Sequence, residues 1–222
     1  MKLAYIKDNV VTVFRLGKTS NQKISGQEVI LQTYHFSLAQ FEHVKNGGGY
    51  KGFYDLDKAN CLDCPYSTNA GNGQCYVHKF PQTRGLLSML RSLGKPQKMP
   101  IHTPKKLIQM SKMASYIRFG TYGEPVFIPL EWIQDMVKAC PNWTGYTHQW
   151  RKHDEYAKYF MASVHNGIEK AYADLIGWRY FRAEEQIEKG EVLCPSEKTT
   201  CSACGLCSGQ TRKAKNIFIL NH

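Results

Sequence analysis

The alternation of apolar and polar residues is clearest near the start of the chain. Segments 10–14 and 29–36 are rich in β-branched and aromatic residues, which predicts two or three strands joined by polar turns. Further along, residues 84–93 and 104–113 have the spacing of amphipathic helices, and Pro104 suits a first helical turn. The pattern therefore predicts an N-terminal β portion followed by helices.

From residue 115 onward, short apolar strands alternate with helices. The predicted strands are 116–119, 145–148, 159–164 and 178–181, and the predicted helices begin near Pro129 and span 168–176. This alternation indicates an α/β fold with a mainly parallel sheet or a partial (β/α) barrel. We expect one domain over residues 1–222, which has a β portion (1–60), an α/β core (61–190) and a cysteine-rich metal loop (191–222).

The composition is that of a globular protein, because 42% of the 222 residues are hydrophobic. The first eight residues mix charged and apolar side chains too early for a signal peptide. No run approaches the roughly 18 apolar residues that a membrane span needs. We therefore expect a cytoplasmic protein that does not contact a membrane.

The eight cysteines change the functional picture, because thiols stay reduced in the cytoplasm and clustered thiols there typically bind metal. Cys140 stands alone at a predicted helix end, and we interpret it as a core residue. The other seven form two groups, which are Cys61, Cys64 and Cys75, and Cys194, Cys201, Cys204 and Cys207.

The C-terminal group has three thiols at three-residue intervals, from Cys201 to Cys207. On a tight loop they can reach three corners of a 4Fe-4S cluster, and Cys194 supplies the fourth ligand. Zinc also binds four thiolates, but more often through two separated pairs. An iron–sulfur cluster is the favoured interpretation. Zinc, a disulfide and inert thiols remain as alternatives.

The N-terminal group has only three thiols. It predicts a second cluster with an open iron or a distant fourth ligand, a zinc site completed by His78, or three buried thiols without metal. His148 and His165 follow predicted strands, a position that often lines sites in α/β proteins. Each histidine alone is better explained as structural.

The positive charge is concentrated in one stretch. The formal net charge is +11, and residues 64–123 contain no Asp or Glu. Such a field favours a polyanionic partner, a nucleic acid or a nucleotide, although a solvated basic surface explains it as well. The candidate contact residues are Arg84, Arg91, Lys95, Lys98, Lys105, Lys106 and Arg118.

The turn Gly123-Glu124-Pro125, between a predicted strand and a helix, resembles the glycine-glutamate motif of radical S-adenosylmethionine enzymes. That resemblance implies that Glu124 and its neighbours contact the amino group of S-adenosylmethionine, and that Cys61, Cys64 and Cys75 hold the reactive cluster. The cysteine spacing differs from the CxxxCxxC loop of that superfamily. A carboxylate near a helix N-terminus explains the same residues.

Over roughly residues 30–220 the chain resembles an uncharacterised bacteriophage family known only by its gene-product-88 label. One part of the likeness is Phe36-Ser37-Leu38 ahead of Cys64-Pro65 and Cys75-Tyr76. The other is Cys194-Pro195 with the run from Thr200 to Cys207, ahead of a final hydrophobic strand. It implies a phage or mobile-element origin, hence the host cytoplasm, and an iron–sulfur or zinc site.

Three functions follow as hypotheses. The first is an iron–sulfur protein, in its catalytic form a degenerate radical-S-adenosylmethionine-like enzyme acting on an anionic substrate. The second is a nucleic-acid-binding module whose zinc or iron–sulfur sites only brace the fold. The third is a redox sensor or electron carrier. The sequence predicts no oligomeric state.

Overall fold

The computed structural model describes residues 1–69, 71–78, 82–211 and 213–220, except for the side chain of Tyr76. The strands within these ranges are β1 (Lys2–Lys7), β2 (Val10–Gly17), β3 (Ile30–Ser37), β4 (Gln97–Lys98), β5 (Tyr116–Tyr122), β6 (Trp143–Thr144), β7 (Tyr146–Thr147), β8 (Met161–Val164), β9 (Tyr180–Glu184), β10 (Glu191–Leu193) and β11 (Asn216–Leu220). The α-helices there are α1 (Leu38–Lys45), α2 (Lys58–Cys61), α3 (Gln82–Arg91), α4 (Lys105–Met113), α5 (Leu130–Ala139), α6 (Gly167–Leu175) and α7 (Cys201–Cys204). Short 3-10 turns lie at Tyr54–Leu56, Tyr76–His78, Pro125–Phe127, Gln149–Arg151, Asp154–Tyr156 and Gly209–Thr211.

The first sheet joins an N-terminal meander to parallel strands, in the order β4-β1-β2-β3-β5-β6. β1, β2 and β3 are antiparallel neighbours, whereas β4, β5 and β6 each pair in parallel. Asp8 and Asn9 turn the chain between β1 and β2 with φ angles of 50° and 61°. Short polar side chains tolerate this geometry in a two-residue hairpin. The strands predicted over 10–14 and 29–36 are confirmed.

The second sheet is entirely parallel and has the order β10-β11-β9-β8-β7. The predicted α/β class with mainly parallel strands is thus confirmed. The strands of the described residues form two sheets, and neither closes into a barrel.

Gly145 lets the chain pass from the first sheet to the second. It stands between β6, which pairs with β5, and β7, which pairs with β8. A Cβ atom at Gly145 would lie 2.5 Å from the ring of Phe160 and 3.1 Å from Phe119. The Gly145 amide also donates to the carbonyl of Cys207 at 3.1 Å. Close approach of these segments therefore requires a residue without a side chain.

Helices cover both faces of the first sheet. Val11 and Val13 of β2 belong to a core that includes residues of α1 and α3. The alternate positions Phe14 and Leu16 belong to a second core, with residues of α4 and α5. Cys61 packs in the first of these cores, so the first cysteine group is part of the packed interior. In the described ranges, no helix has the length and apolar character to cross a membrane.

Two predicted elements differ from the structure. The strand expected over 145–148 is shorter, because β7 covers only Tyr146–Thr147; Gly145 precedes it, and His148 follows it, directly before a 3-10 turn. The cysteine-rich segment expected to be a loop contains β10, the one-turn helix α7 and β11. The Thr200 hydroxyl caps α7 by accepting from the Ala203 amide, and Gly205 ends it with a φ of 59°.

Candidate metal centres

The first cysteine group lies between α2 and α3, in a segment that folds back through tight turns. α2 ends at Cys61, and Leu62 reverses the chain with a φ of 52°. The Cys64 amide then donates to the Cys61 carbonyl, and the Cys75 amide donates to the Tyr66 carbonyl, both at 3.0 Å. These hydrogen bonds fold the chain so that Cys75 lies near Cys61 and Cys64, although a loop separates it from them in the sequence.

A buried carboxylate, that of Asp57, holds this cysteine loop together. It accepts hydrogen bonds from the Thr68 amide at 3.0 Å and from the Asn69 amide at 3.3 Å. The Asn69 side chain donates to it at 2.8 Å. Because Asp57 is fully buried, these donors replace the water that the carboxylate loses on folding.

The three thiols of the first group are electrostatic neighbours. Burial raises the pKa of the Cys61 thiol, and Asp57, Cys64 and Cys75 raise it further. Burial is also the main cause that raises the pKa of Cys75 to about 11. Deprotonating the Cys61 and Cys75 thiols in this interior is therefore unfavourable without a compensating cation, which a metal would supply.

Two sulfur atoms of the group also receive hydrogen bonds. Asn60 Nδ2 lies 3.4 Å from Cys61 Sγ. Backbone N–H groups of Val77 and His78 act on Cys75 and oppose the rise of its pKa. Hydrogen bonds to sulfur are a feature by which proteins tune iron–sulfur clusters.

His148 connects this group to the end of β7. Its Nε2 lies 3.7 Å from Cys64 Sγ, and its Nδ1 lies 2.6 Å from Glu124 Oε1. Since an ionised carboxylate only accepts, Nδ1–H donates to Glu124 and Nε2 faces the thiol. Burial alone would lower the pKa of His148, but the Glu124 carboxylate and Cys64 outweigh it and raise the pKa to about 10.

Glu124 is bonded through its backbone and through both side-chain oxygens. Its amide donates to the Asn60 carbonyl at 2.9 Å. Oε2 accepts from the Thr147 hydroxyl at 2.7 Å and from the His148 amide at 3.1 Å, while Oε1 accepts from the imidazole. The carboxylate is only 4% exposed. Glu124 therefore fixes the orientation of His148.

The turn that carries this carboxylate is the predicted Gly123-Glu124-Pro125 motif. Gly123 has a φ of 71°, and a Cβ atom there would lie 2.5 Å from the His35 carbonyl oxygen. Pro125 begins the 3-10 turn that follows. The motif stands at the carboxyl end of β5, as expected. Its contact with S-adenosylmethionine remains a prediction.

The cysteine loop packs against the carboxyl ends of β7 and β8. His148 and His165 directly follow these strands, and their rings stack with centroids 5.0 Å apart. From the loop, Tyr66 approaches His165 at 3.2 Å and Asp63 pairs with Lys152 at 2.7 Å. The structure thus brings both histidines to this site. The His78 ring, in the described part of the chain, contacts Asp57, Gly73 and Tyr54 rather than a thiol.

All four cysteines of the second group line one pocket. The pocket is also bordered by Thr144, Tyr146 and Ile217, and its cysteines are Cys194, Cys201, Cys204 and Cys207. Burial raises the pKa of Cys207 to about 12. The Tyr146 hydrogen bond opposes this rise, and the other three thiols add to it. The structure therefore brings these four thiols to one pocket, with two on α7 and one after it; their role as metal ligands stays a prediction.

Arg118 lies beside the second group rather than on the basic exterior. It is half-buried in β5, and its charge opposes the effect of burial on the pKa of Cys201. The other predicted contact residues are exposed, and they are Arg84, Arg91, Lys95, Lys98, Lys105 and Lys106. Lys95 and Lys106 line a cavity of about 310 Å³ together with Lys2. Their role with a polyanion stays a prediction.

The cysteine thiolates of both groups are donors of the type that zinc and iron–sulfur clusters bind. Their spacing in the structure is a separate question. Across residues 1–69, 71–78, 82–211 and 213–220, no three His, Cys, Asp or Glu side chains converge closely enough to hold one metal ion. In a 4Fe-4S cluster, by contrast, each thiolate binds a different iron atom. Cys140 belongs to neither group, because it is buried in the core with its Sγ 3.3 Å from the Ala114 carbonyl, as predicted.

Comparisons with known proteins returned no match. No protein family matches the chain, no curated protein is similar to it, and no solved structure matches its fold. The resemblances to the phage family and to radical S-adenosylmethionine enzymes therefore remain predictions.

Two contacts of the first site could not be predicted from the sequence. The first is the approach of His148 to Cys64, across 84 positions of the chain. The second is the use of Glu124 by His148, across 24 positions. The position of both residues after strands was the available signal, since carboxyl ends of parallel strands meet at one edge. Nothing in the sequence indicated which loop would pack there.

Proposed function

We propose that this chain is an iron–sulfur protein with two cysteine-based centres. The centre that supports this most strongly is the C-terminal one, because its four thiols line a single pocket. The first centre is proposed to hold a second metal group at Cys61, Cys64 and Cys75, an iron–sulfur cluster in the first instance and zinc as the alternative. The reducing cytoplasm is the compartment in which such thiols stay available.

Iron–sulfur chemistry is favoured over zinc at the C-terminal centre by the arrangement of the chain. Cys201, Cys204 and Cys207 have the C-x2-C-x2-C spacing that is typical of cluster-binding proteins. The amide of Cys194 donates to the Phe218 carbonyl at 2.7 Å, which anchors the fourth thiol beside β11. Structural zinc sites more often use two separate pairs of ligands.

A redox role is the function that this geometry favours, as an electron carrier or a redox sensor. Glu124 is only 4% exposed and both of its carboxylate oxygens already accept hydrogen bonds within the protein, so the ammonium of S-adenosylmethionine would have to reach a buried carboxylate. The cluster would accept one electron from an external donor and return it to an external acceptor. Burial among protein groups sets the potential at which it does so.

The test compares two cysteine variants under anaerobic conditions. Cys204→Ala should lose the C-terminal cluster, about four iron and four sulfide per chain, whereas the matched variant Cys140→Ala should keep both. Cys140 is a buried core thiol whose Sγ, in the part of the chain that the structure describes, donates to the backbone carbonyls of Ala114 and Asn142. Equal metal content in the two variants would contradict the assignment.

The position of one turn supports a radical-S-adenosylmethionine-like enzyme as a second candidate function. The Gly123-Glu124-Pro125 turn lies beside the first cysteine group, the position that the radical-S-adenosylmethionine-like enzyme requires. Equilibrium dialysis with S-adenosylmethionine tests it, and saturable binding to the metal-loaded protein would support the enzyme acting on an anionic substrate. The likeness to the phage family supports a mobile-element origin.

The lysine-lined cavity supports a polyanionic partner. Lys2, Lys95 and Lys106 border it, in a chain with a formal net charge of +11. Nucleic-acid binding through this face would weaken steeply as salt rises, because bound counterions are released when lysines contact phosphates. Binding that does not depend on salt would exclude this role.

A further inference from the structure

We propose that the cavity bordered by Lys2, Lys95 and Lys106 binds the phosphate group of a small phosphomonoester, of which a mononucleotide is one. This inference rests on the polyanionic partner of the proposed function and names its chemical class. It does not depend on either candidate metal centre, because no cysteine borders the cavity in the part of the chain that the structure describes.

The cavity lies at one edge of the first sheet. β4 is two residues long and pairs only with Tyr5 and Ile6 of β1. The preceding residues of β1, 2–4, pair with β2 and also border the cavity. The segment 92–95, which follows α3, and the first turn of α4 complete it. Three separate parts of the chain therefore enclose one space of about 310 Å³.

The charged side chains around this space are all cationic. Lys2, Lys95 and Lys106 are exposed, and no Asp or Glu borders the cavity among the described residues. Within the same described ranges, none of the three lysines forms an ion pair with a carboxylate. An anion from solution would therefore meet three ammonium groups whose charge no nearby acid neutralises.

One of these ammonium groups is already oriented by the protein. Lys2 Nζ donates to Ser92 Oγ at 2.5 Å, and Ser92 Oγ donates to the Met89 carbonyl at 2.7 Å. An ammonium has three N–H donors, and the bond to Ser92 uses one of them. Because Lys2 is held in place before a ligand arrives, less conformational entropy is lost on binding.

A structural role for the lysines at the end of α3 is the simplest alternative. Cations stabilise the last carbonyls of a helix. Lys45 already serves α3 in this way, because its Nζ donates to the carbonyl of Arg91 at 3.0 Å and to that of Leu93. The cavity lysines are therefore not needed to cap α3.

The lining indicates the class of ligand. A phosphomonoester carries a charge of about −1.5 to −2 at pH 7, and lysine binds phosphate as a point charge. Leu3 and Leu93 also border the cavity and offer apolar contact to an organic group. The first turn of α4 contains no acid, so its positive end adds to the attraction. A volume of about 310 Å³ lies at the lower end of the range of about 300–1,000 Å³ for small-molecule sites.

The experiment is isothermal titration calorimetry of the full-length, anaerobically purified chain with adenosine 5′-monophosphate, and with adenosine as the ligand that lacks phosphate. Binding should be saturable for the monophosphate alone. The double variant Lys95→Ala/Lys106→Ala should lose about tenfold in affinity, because two charge pairs are removed. The matched control is Lys98→Ala/Lys105→Ala, which removes the same charge from exposed lysines outside the cavity lining and should bind as the wild type does.

The other outcomes would overturn the inference in distinguishable ways. An equal loss in both double variants would indicate general attraction by charge, and equal binding of adenosine would exclude phosphate recognition. Salt-dependent binding of single-stranded DNA that the monophosphate does not displace would overturn the cavity site but keep the polyanionic partner. No binding of the monophosphate or of DNA would remove that partner as well. Iron and sulfide measured on the same samples test the metal centres separately.

Discussion

Asp57→Ala tests how the first cysteine group is assembled. The substitution removes the buried acceptor of the Thr68 amide, the Asn69 amide and the Asn69 side chain. Each buried donor left without a partner costs about 1–3 kcal/mol. Asn69 is exposed and its donors regain water, which leaves the Thr68 amide without a partner, so we expect a loss of about 1–3 kcal/mol. For a chain of this length that corresponds to a decrease in Tm of roughly 2–12 °C.

The assay is thermal unfolding of the anaerobic protein by circular dichroism, with iron measured on the same samples. The matched control is Asp55→Ala, which removes an exposed carboxylate two residues away. The backbone carbonyl of Asp55, which accepts from the Asn69 side chain, is kept in this variant. Asp57→Ala should lose metal from the first centre and keep the C-terminal cluster. A Tm and an iron content equal to those of the control would refute the role of Asp57 in holding the cysteine loop.

Three further changes test other parts of the structure. Gly145→Ala places a Cβ atom 2.5 Å from the Phe160 ring and should lower the free energy of unfolding by about 1–3 kcal/mol. A urea titration measures this, and unchanged stability would contradict the close approach of Phe160 to the segment that joins the two sheets. Glu124→Gln should lower the pKa of His148 from about 10, because the substitution removes the carboxylate that raises it; an NMR titration measures this pKa, and an unchanged value would contradict the contact. The double change Lys95→Glu and Lys106→Glu should reduce the salt dependence of any nucleic-acid binding, and an unchanged slope would locate the contact elsewhere.

Much of the fold could be predicted from local patterns. The strands at Val10–Gly17 and Ile30–Ser37 are dense in β-branched and aromatic residues, and the alternation of strands and helices beyond residue 115 indicated parallel pairing. The position of Gly145 between β6 and β7, outside either strand, could not be predicted, because it depends on the proximity of Phe119 and Phe160. That proximity is a property of the tertiary packing.

The two candidate sites differ in how far the sequence could predict them. The C-terminal thiols lie within 14 residues of sequence, so their spacing alone predicted a common pocket. The first site combines Cys64, Glu124 and His148, which are brought together by loop packing at the ends of β5 and β7. Sequence reasoning identified each of these residues, but it paired Glu124 with an external cofactor and left His148 without a partner.

Metal and acid-labile sulfide analysis of the anaerobically purified wild-type chain tests the central claim most directly. With two clusters we expect about eight iron and eight sulfide per chain, or about four of each with one cluster, together with broad absorption near 400 nm. A colourless protein with stoichiometric zinc and no sulfide would contradict an iron–sulfur protein. A protein without metal would contradict both candidate centres.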